Sequence, residues 1–249
     1  MVTVGGYGSA MPGNAATDSP ASTIDAPPGG GVGAPPVLVK PLLRGWSHLL
    51  AFAALVVLGG WLIADVVGTR RGPALMVIYI AGTGAMFGVS TAYHRLRWQP
   101  GARALMSKLD HCTIFLAIAG AYTPIAVVSL SGWHRSSVLI AAWAGAAVGV
   151  TLQWVPWRLP RWAFAAVYVV VGWAAAPSFG QLYSGLGVLG FLLVLGGGLA
   201  YTVGALVYAR KRPDPWPRVF GFHEIFHLCT IVGAALHFVA MAAVVAPKF

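Results

Sequence analysis

The sequence predicts an all-α, polytopic membrane protein: a bundle of seven transmembrane helices with its N-terminus in the cytoplasm. Three observations carry that expectation. Of 249 residues, 58% are hydrophobic and only 9% are charged, against about 25% charged in a soluble globular domain. The apolar residues gather into runs near the roughly 20 residues that a spanning helix needs. The Lys and Arg residues stand in short clusters between those runs, unevenly shared between alternate connections.

Taken in order, residues 1–40 are rich in Gly, Ala, Pro, Ser and Thr and have no apolar periodicity. Such a stretch cannot bury enough surface to offset ordering entropy, so a disordered tail is expected. It lacks the basic and apolar regions of a signal peptide. The first apolar run, after Lys40 and Arg44, is therefore expected to serve as the insertion signal. Residues 41–249 are assigned to the seven-helix domain, with apolar runs near 47–67, 73–94, 110–130, 136–155, 162–180, 186–209 and 220–245. Breaks fall at Arg70-Arg71-Gly72-Pro73, Gln99-Pro100-Gly101, Trp157-Arg158-Leu159-Pro160 and Lys211-Arg212-Pro213-Asp214-Pro215, all turn-forming sequences. The fifth run is the weakest, because Pro177 interrupts it and the following connection has no charge. Six helices is the alternative count. In the sixth run Gly196-Gly197-Gly198, with Ala200 and Gly204 nearby, is expected to let that helix flex or approach a neighbour closely.

Orientation follows from the cations. With a cytoplasmic N-terminus, twelve Lys and Arg residues fall on the inner side, and four (Arg70, Arg71, Arg135 and Lys248) fall outside. The positive-inside rule favours that arrangement. The net charge of +10 does not indicate a nucleic-acid partner, since no basic-aromatic surface stands on a soluble domain. Arg and Ala far outnumber Lys and Asn, as in a GC-rich bacterial genome, so a bacterial plasma membrane is the expected location. The two cysteines, Cys112 and Cys229, form no disulfide framework.

Chemistry is expected where polar groups persist in apolar sequence, because they are costly at membrane depth. His223-Glu224-Ile225-Phe226-His227 places two imidazoles one helical turn apart on one face. On the seven-span scheme His94 closes the second helix at the same depth, and Asp110 opens the third. Three neutral histidines plus water make a tetrahedral zinc site with an open position, and a neighbouring carboxylate can hold or deprotonate the water. Ser90, four residues before His94, shares its face one turn deeper. The metal ligands are thus expected to be His94, His223 and His227, with Asp110 and Ser90 as catalytic groups. His48 lies at a suitable depth and is the substitute ligand. His111 is turned about 100° from Asp110, His134 sits on the far connection, and His237 lies about 15 Å beyond His227 along the helix. Cys112 and Cys229 are expected to face away from the site. His-Glu-x-x-His is also the zincin pattern, in which the glutamate is the general base of a metalloprotease. That reading leaves Ser90 and His94 unexplained.

Ser90-Thr-Ala-Tyr93-His94, Lys108-Leu109-Asp110-His111, Ala121-Tyr122-Thr123-Pro124 and Phe222-His223-Glu224-Ile225-Phe226-His227 together resemble the hemolysin III branch of the progestin and adipoQ receptor (PAQR) family, over about residues 41–246. The resemblance implies a seven-helix fold with a cytoplasmic-side zinc held by His94, His223 and His227, and with Asp110 and Ser90 around its water. The wider superfamily includes alkaline ceramidases, which hydrolyse a lipid amide. In bacterial members a glutamate after the first histidine of the pair is common, which weakens the protease reading. The chain departs from the family near the first helix, where it has Arg44-Gly45-Trp46-Ser47-His48 in place of an acidic residue and an Asn-x-x-Thr-His element.

The function expected is that of a hemolysin III-type integral membrane zinc protein hydrolysing a lipid amide or ester with zinc-activated water. Its partner is then a membrane lipid, as substrate or ligand. The alternative is a non-catalytic, zinc-stabilised receptor or membrane-perturbing protein. An intramembrane metalloprotease ranks below both.

Overall fold

Within a bilayer no water is present to satisfy backbone N–H and C=O groups, so apolar runs must close their hydrogen bonds internally as helices. The computed structural model describes residues 41–155 and 160–249, Arg161 by its backbone alone. The tail expected over residues 1–40 and most of the break at 157–160 lie outside these residues. The described helices are α1 (Trp46–Asp65), α2 (Gly72–Arg95), α3 (Pro100–Ser129), α4 (Gly132–Leu152), α5 (Arg161–Gly172), α6 (Phe179–Arg210) and α7 (Phe222–Ala240). Proline marks two of the starts, Pro73 and Pro100 standing in the first turns of α2 and α3, where a missing N–H costs no hydrogen bond. Among the described residues, six stretches are long and apolar enough to cross a membrane, and one of these, Trp162–Arg210, takes in both α5 and α6.

Three boundaries differ from the sequence expectation, one of them the start of α6, which falls at Phe179 rather than near 186. α3 begins ten residues before its apolar run, at Pro100. Residues 102–109 are too polar to count as apolar, yet Ala, Arg, Leu, Met and Lys there are strong helix formers. The fifth run yields only the 12 residues of α5, about 18 Å of helix, short of a 30 Å hydrocarbon core. A turn and a single 3₁₀ turn, Ala176–Ser178, carrying Pro177, separate it from α6. Inside α6 the backbone leaves helical geometry at Gly187, with φ 71° and ψ 177°. That break falls just inside the sixth run, one residue after its expected start at 186.

Packing sets the positions of α2 and α3 most tightly. A Cβ on Gly82 would lie 2.6 Å from the Leu116 carbonyl oxygen, and one on Gly120 would lie 2.9 Å from that of Ile78. The two backbones touch there, as small residues allow at membrane helix interfaces. The glycines of α6 meet α7 in a similar way: Gly197 rests on the His237 ring and Gly204 on Cys229. At one end of the bundle Leu62, Met76, Ile125, Leu130, Leu182, Met241 and Val245 form a buried apolar cluster. The last two belong to a π-helical turn, Met241–Val245, that continues α7. The opposite end gathers the starts of α1 and α7 and the ends of α2 and α6, together with the first half of α3.

Candidate metal centre

The start of α7 is organised by two carboxylates. Phe222 N donates to Asp214 Oδ1 at 2.9 Å, and Gly221 N donates to Glu224 Oε2 at 2.9 Å. Both N–H groups belong to the helix start, which has no partners of its own. Glu224 Oε1 also accepts a hydrogen bond from Arg44 Nε. With its N-terminus held in this way, α7 presents His223 and His227 on one face toward the last turn of α2, which carries His94.

One ring nitrogen from each of His94, His223 and His227 lies within 4.8 Å of the other two. The Nε2 atoms of His94 and His223 are 3.2 Å apart. Two nitrogens each about 2.05 Å from a tetrahedral ion stand roughly 3.3 Å apart, so this separation suits joint ligation. His94 and His227 are buried, and His227 Nδ1 makes no close hydrogen bond among the described residues. The group is therefore able to hold a metal ion. Asp110 Oδ2 lies 3.8 Å from His94 Nε2, which brings the carboxylate expected from the sequence to the edge of the triad.

Ser90, Asp110, His48, His223 and His227 line one small cavity of about 40 Å³. Ser90 is 1% exposed. Next to it lies a larger, mainly apolar cavity of about 120 Å³ between α2, α3, α5, α6 and α7. Met86, Ile114, Tyr168, Ala205, Phe226 and Thr230 line both, so the histidine cluster opens toward an apolar interior.

The remaining histidines separate clearly. His48 stacks face to face on His227, with ring centroids 3.8 Å apart and planes 10° apart. It stands beside the triad rather than in the group of possible ligands. His111 Nδ1 lies 2.8 Å from the Ser107 carbonyl oxygen and its Nε2 3.4 Å from the Tyr208 hydroxyl, although its ring also borders the small cavity. His134 pairs with Ser178 Oγ at 2.9 Å near the far end, and His237 Nε2 donates to the Val194 carbonyl at 3.1 Å. Cys112 and Cys229 are free thiols and line neither cavity.

Three neighbours of the site were not legible in the sequence. Tyr208 and Tyr168 line the small cavity from α6 and α5, and no spacing pattern links them to the histidines. Arg44 stands 180 positions from Glu224 and reads in the sequence as a topology signal. The scarcity of acids was the available hint, because a carboxylate buried beside two histidines requires a cation or a set of N–H donors.

Comparison with known proteins agrees with this geometry. Residues 37–238 match the family model described as Haemolysin-III related. The chain belongs to the haemolysin III family. It is 28% identical to Hemolysin-3 of Bacillus cereus over 210 residues, covering 84% of this chain and 92% of the relative. It is 26% identical to the Hemolysin-3 homolog of Bacillus subtilis over 212 residues, 81% of this chain and 90% of that protein. The Adiponectin receptor protein of Drosophila melanogaster is 27% identical over 229 residues, 78% of this chain and 48% of the receptor. These relatives place the chain in the hemolysin III branch of the PAQR family. With its membrane-length helices, this member of the family is a multi-pass protein of the lipid bilayer.

Proposed function

We propose that this haemolysin III protein is a zinc-dependent hydrolase of a lipid amide or ester. The observation that carries the reading is a group of three histidines, His94, His223 and His227, two of which line a small cavity together with Asp110 and Ser90, next to a larger apolar one. His94, His223 and His227 would hold zinc, whose chemistry is to polarise a carbonyl and lower the pKa of a water toward about 7. Asp110 accepts a proton from the attacking water and returns it to the leaving amine or alcohol, so that amide or ester plus water gives acid plus amine or alcohol. Ser90 donates a hydrogen bond to the carbonyl oxygen as negative charge develops on it. The first methylenes of the acyl chain lie in the apolar cavity, and the rest reaches the bilayer between helices. Both Glu224 oxygens are already engaged, by Arg44 and by Gly221 N, which favours Asp110 as the base and argues against the metalloprotease reading.

The same reading sets the N-terminus and the histidine site on the cytoplasmic side of a bacterial plasma membrane, supported by the twelve-to-four distribution of cations. It also counts seven crossings, with α5 and the part of α6 before Gly187 together forming an interrupted fifth one.

The test is turnover. Purified protein is incubated with a panel of lipid amides and esters, beside Asp110→Asn loaded with the same metal. Release of fatty acid by the wild type and its loss in the variant is the expected result. Metal-loaded wild type that releases product from no lipid would sink the hydrolase.

The second reading is a metal that only ties α2 to α7, in a receptor or membrane-perturbing protein. The burial of His94 and His227 beneath the start of α1 favours it, as does the name Hemolysin-3 carried by the Bacillus relative. Conductance of the pure protein in a planar bilayer would select the membrane-perturbing version.

A further inference from the structure

The segment leading into α1 and the first turn of α1 lie against His94, His227, Glu224 and the connection before α7. Leu42 N and Leu43 N donate to the carbonyls of Arg218 and Val219 at 3.1 and 3.3 Å, which stitches this segment to the connection before α7. Gly45 adopts φ 81°, the left-handed region that glycine occupies without strain. A Cβ at Gly45 would lie 2.8 Å from His94 Cβ, so the backbone rests directly on a ligand of the triad. Trp46 lies under the Arg95 guanidinium at 4.0 Å, and His48 stacks on His227. Arg44 ion-pairs with Glu224, whose side chain is only 3% exposed.

Glu224 stands between His223 and His227 in the sequence and is fixed from two sides, by its own helix start and by Arg44. Rotation of the first turn of α7 about its axis would carry both histidines and this carboxylate together. The ion pair opposes that rotation, because parting from Arg44 leaves the buried Glu224 carboxylate without its countercharge.

We propose that Arg44 is a positioning residue which, acting through Glu224, sets the orientation of the His223 and His227 imidazoles toward His94. The inference rests on the metal reading above. It assigns a role to the stretch of this chain that departs from the family pattern: an arginine from α1's lead-in holds the first turn of α7.

The test uses full-length protein in lipid nanodiscs, stripped with chelator and titrated with Co²⁺, whose visible bands report ligand geometry. Arg44→Met is expected to weaken Co²⁺ binding by about 10-fold or more, the range for partners that orient metal ligands, and to change the band intensities. Arg44→Lys, which retains the charge, should recover most of both. Glu224→Gln keeps the hydrogen bond to Gly221 N and loses the charge; in that background Arg44→Met should add less than about 2-fold, the non-additivity expected of contacting residues. If Arg44→Met does not fold, Glu224→Gln alone carries the same expected loss. Unchanged Co²⁺ affinity and bands in the single variants would overturn the proposal, as would an equal effect of Arg44→Met with and without Glu224.

Wild type that binds no Co²⁺ would instead overturn the metal reading. The ¹⁵N imidazole resonances of His223 and His227 in metal-free protein then decide the inference. Movement on Arg44→Met that disappears in the Glu224→Gln background sustains it, and unmoved resonances overturn it.

Discussion

The two ends of the helix bundle are built on opposite terms. At one end Leu62, Met76, Ile125, Leu130, Met241 and Val245 interlock in a cluster that holds no histidine, acid or base. At the other lie all the buried histidines and the buried acid of the described residues, His48, His94, His227 and Glu224, beside a cavity that His48 and His227 line. In lipid, helices gain little from the hydrophobic effect against one another, so tight packing is what joins them. The apolar end supplies that packing, which allows the other end to keep polar atoms without close partners. α1, α2, α3, α6 and α7 thus divide their length between cohesion and chemistry.

That division can be broken at either end. The largest effect expected is on metal content: about one ion per chain in the wild type, falling to near zero in both His94→Ala and His223→Ala, as read by elemental analysis of purified protein. Loss in only one variant would separate α2 from α7 and dissolve the triad. Next comes turnover. Asp110→Asn should lower it at least 100-fold, the contribution typical of a general base, with metal content unchanged; comparable activity would move the base elsewhere. A smaller, selective change is expected where the cavities meet. Ala205→Phe, at a position lining both, should depress hydrolysis of long-chain lipids more than of short-chain ones while the metal stays bound, and equal depression of both would place the acyl chain outside this interior. The smallest functional effect belongs to the apolar end. Leu130→Ala should lower stability by about 2 kcal/mol through lost packing, and the folded fraction should retain its metal. Metal loss in that variant would show that the two ends are not independent.

Much of this contrast was legible in the sequence, because the bilayer ties hydropathy to helix position. The His223/His227 pair and its meeting with His94 follow from helical spacing and from equal depth on successive spans. The start of α3 escaped, since hydropathy marks where a helix meets the hydrocarbon and not where its backbone begins to turn. The shortness of α5 was foreshadowed by Pro177 and by the uncharged connection after the run. Arg44, Tyr168 and Tyr208 could not be placed, because their contacts with the site depend on how distant segments dock rather than on a repeat within one helix. His48 illustrates the boundary between the two cases: its depth was readable, and its stacking on His227 was not.

The contact between Gly82 and Gly120 has a mechanical consequence. Two helices whose backbones touch cannot slide or spread without first separating at that point, so α2 and α3 behave as a single beam. Ser90 and His94 ride on one half of the beam and Asp110 on the other, which makes their spacing a fixed dimension of the molecule. On the hydrolase reading, widening to admit a bulky lipid would come from the walls across from the beam, where glycine-rich α6 faces it.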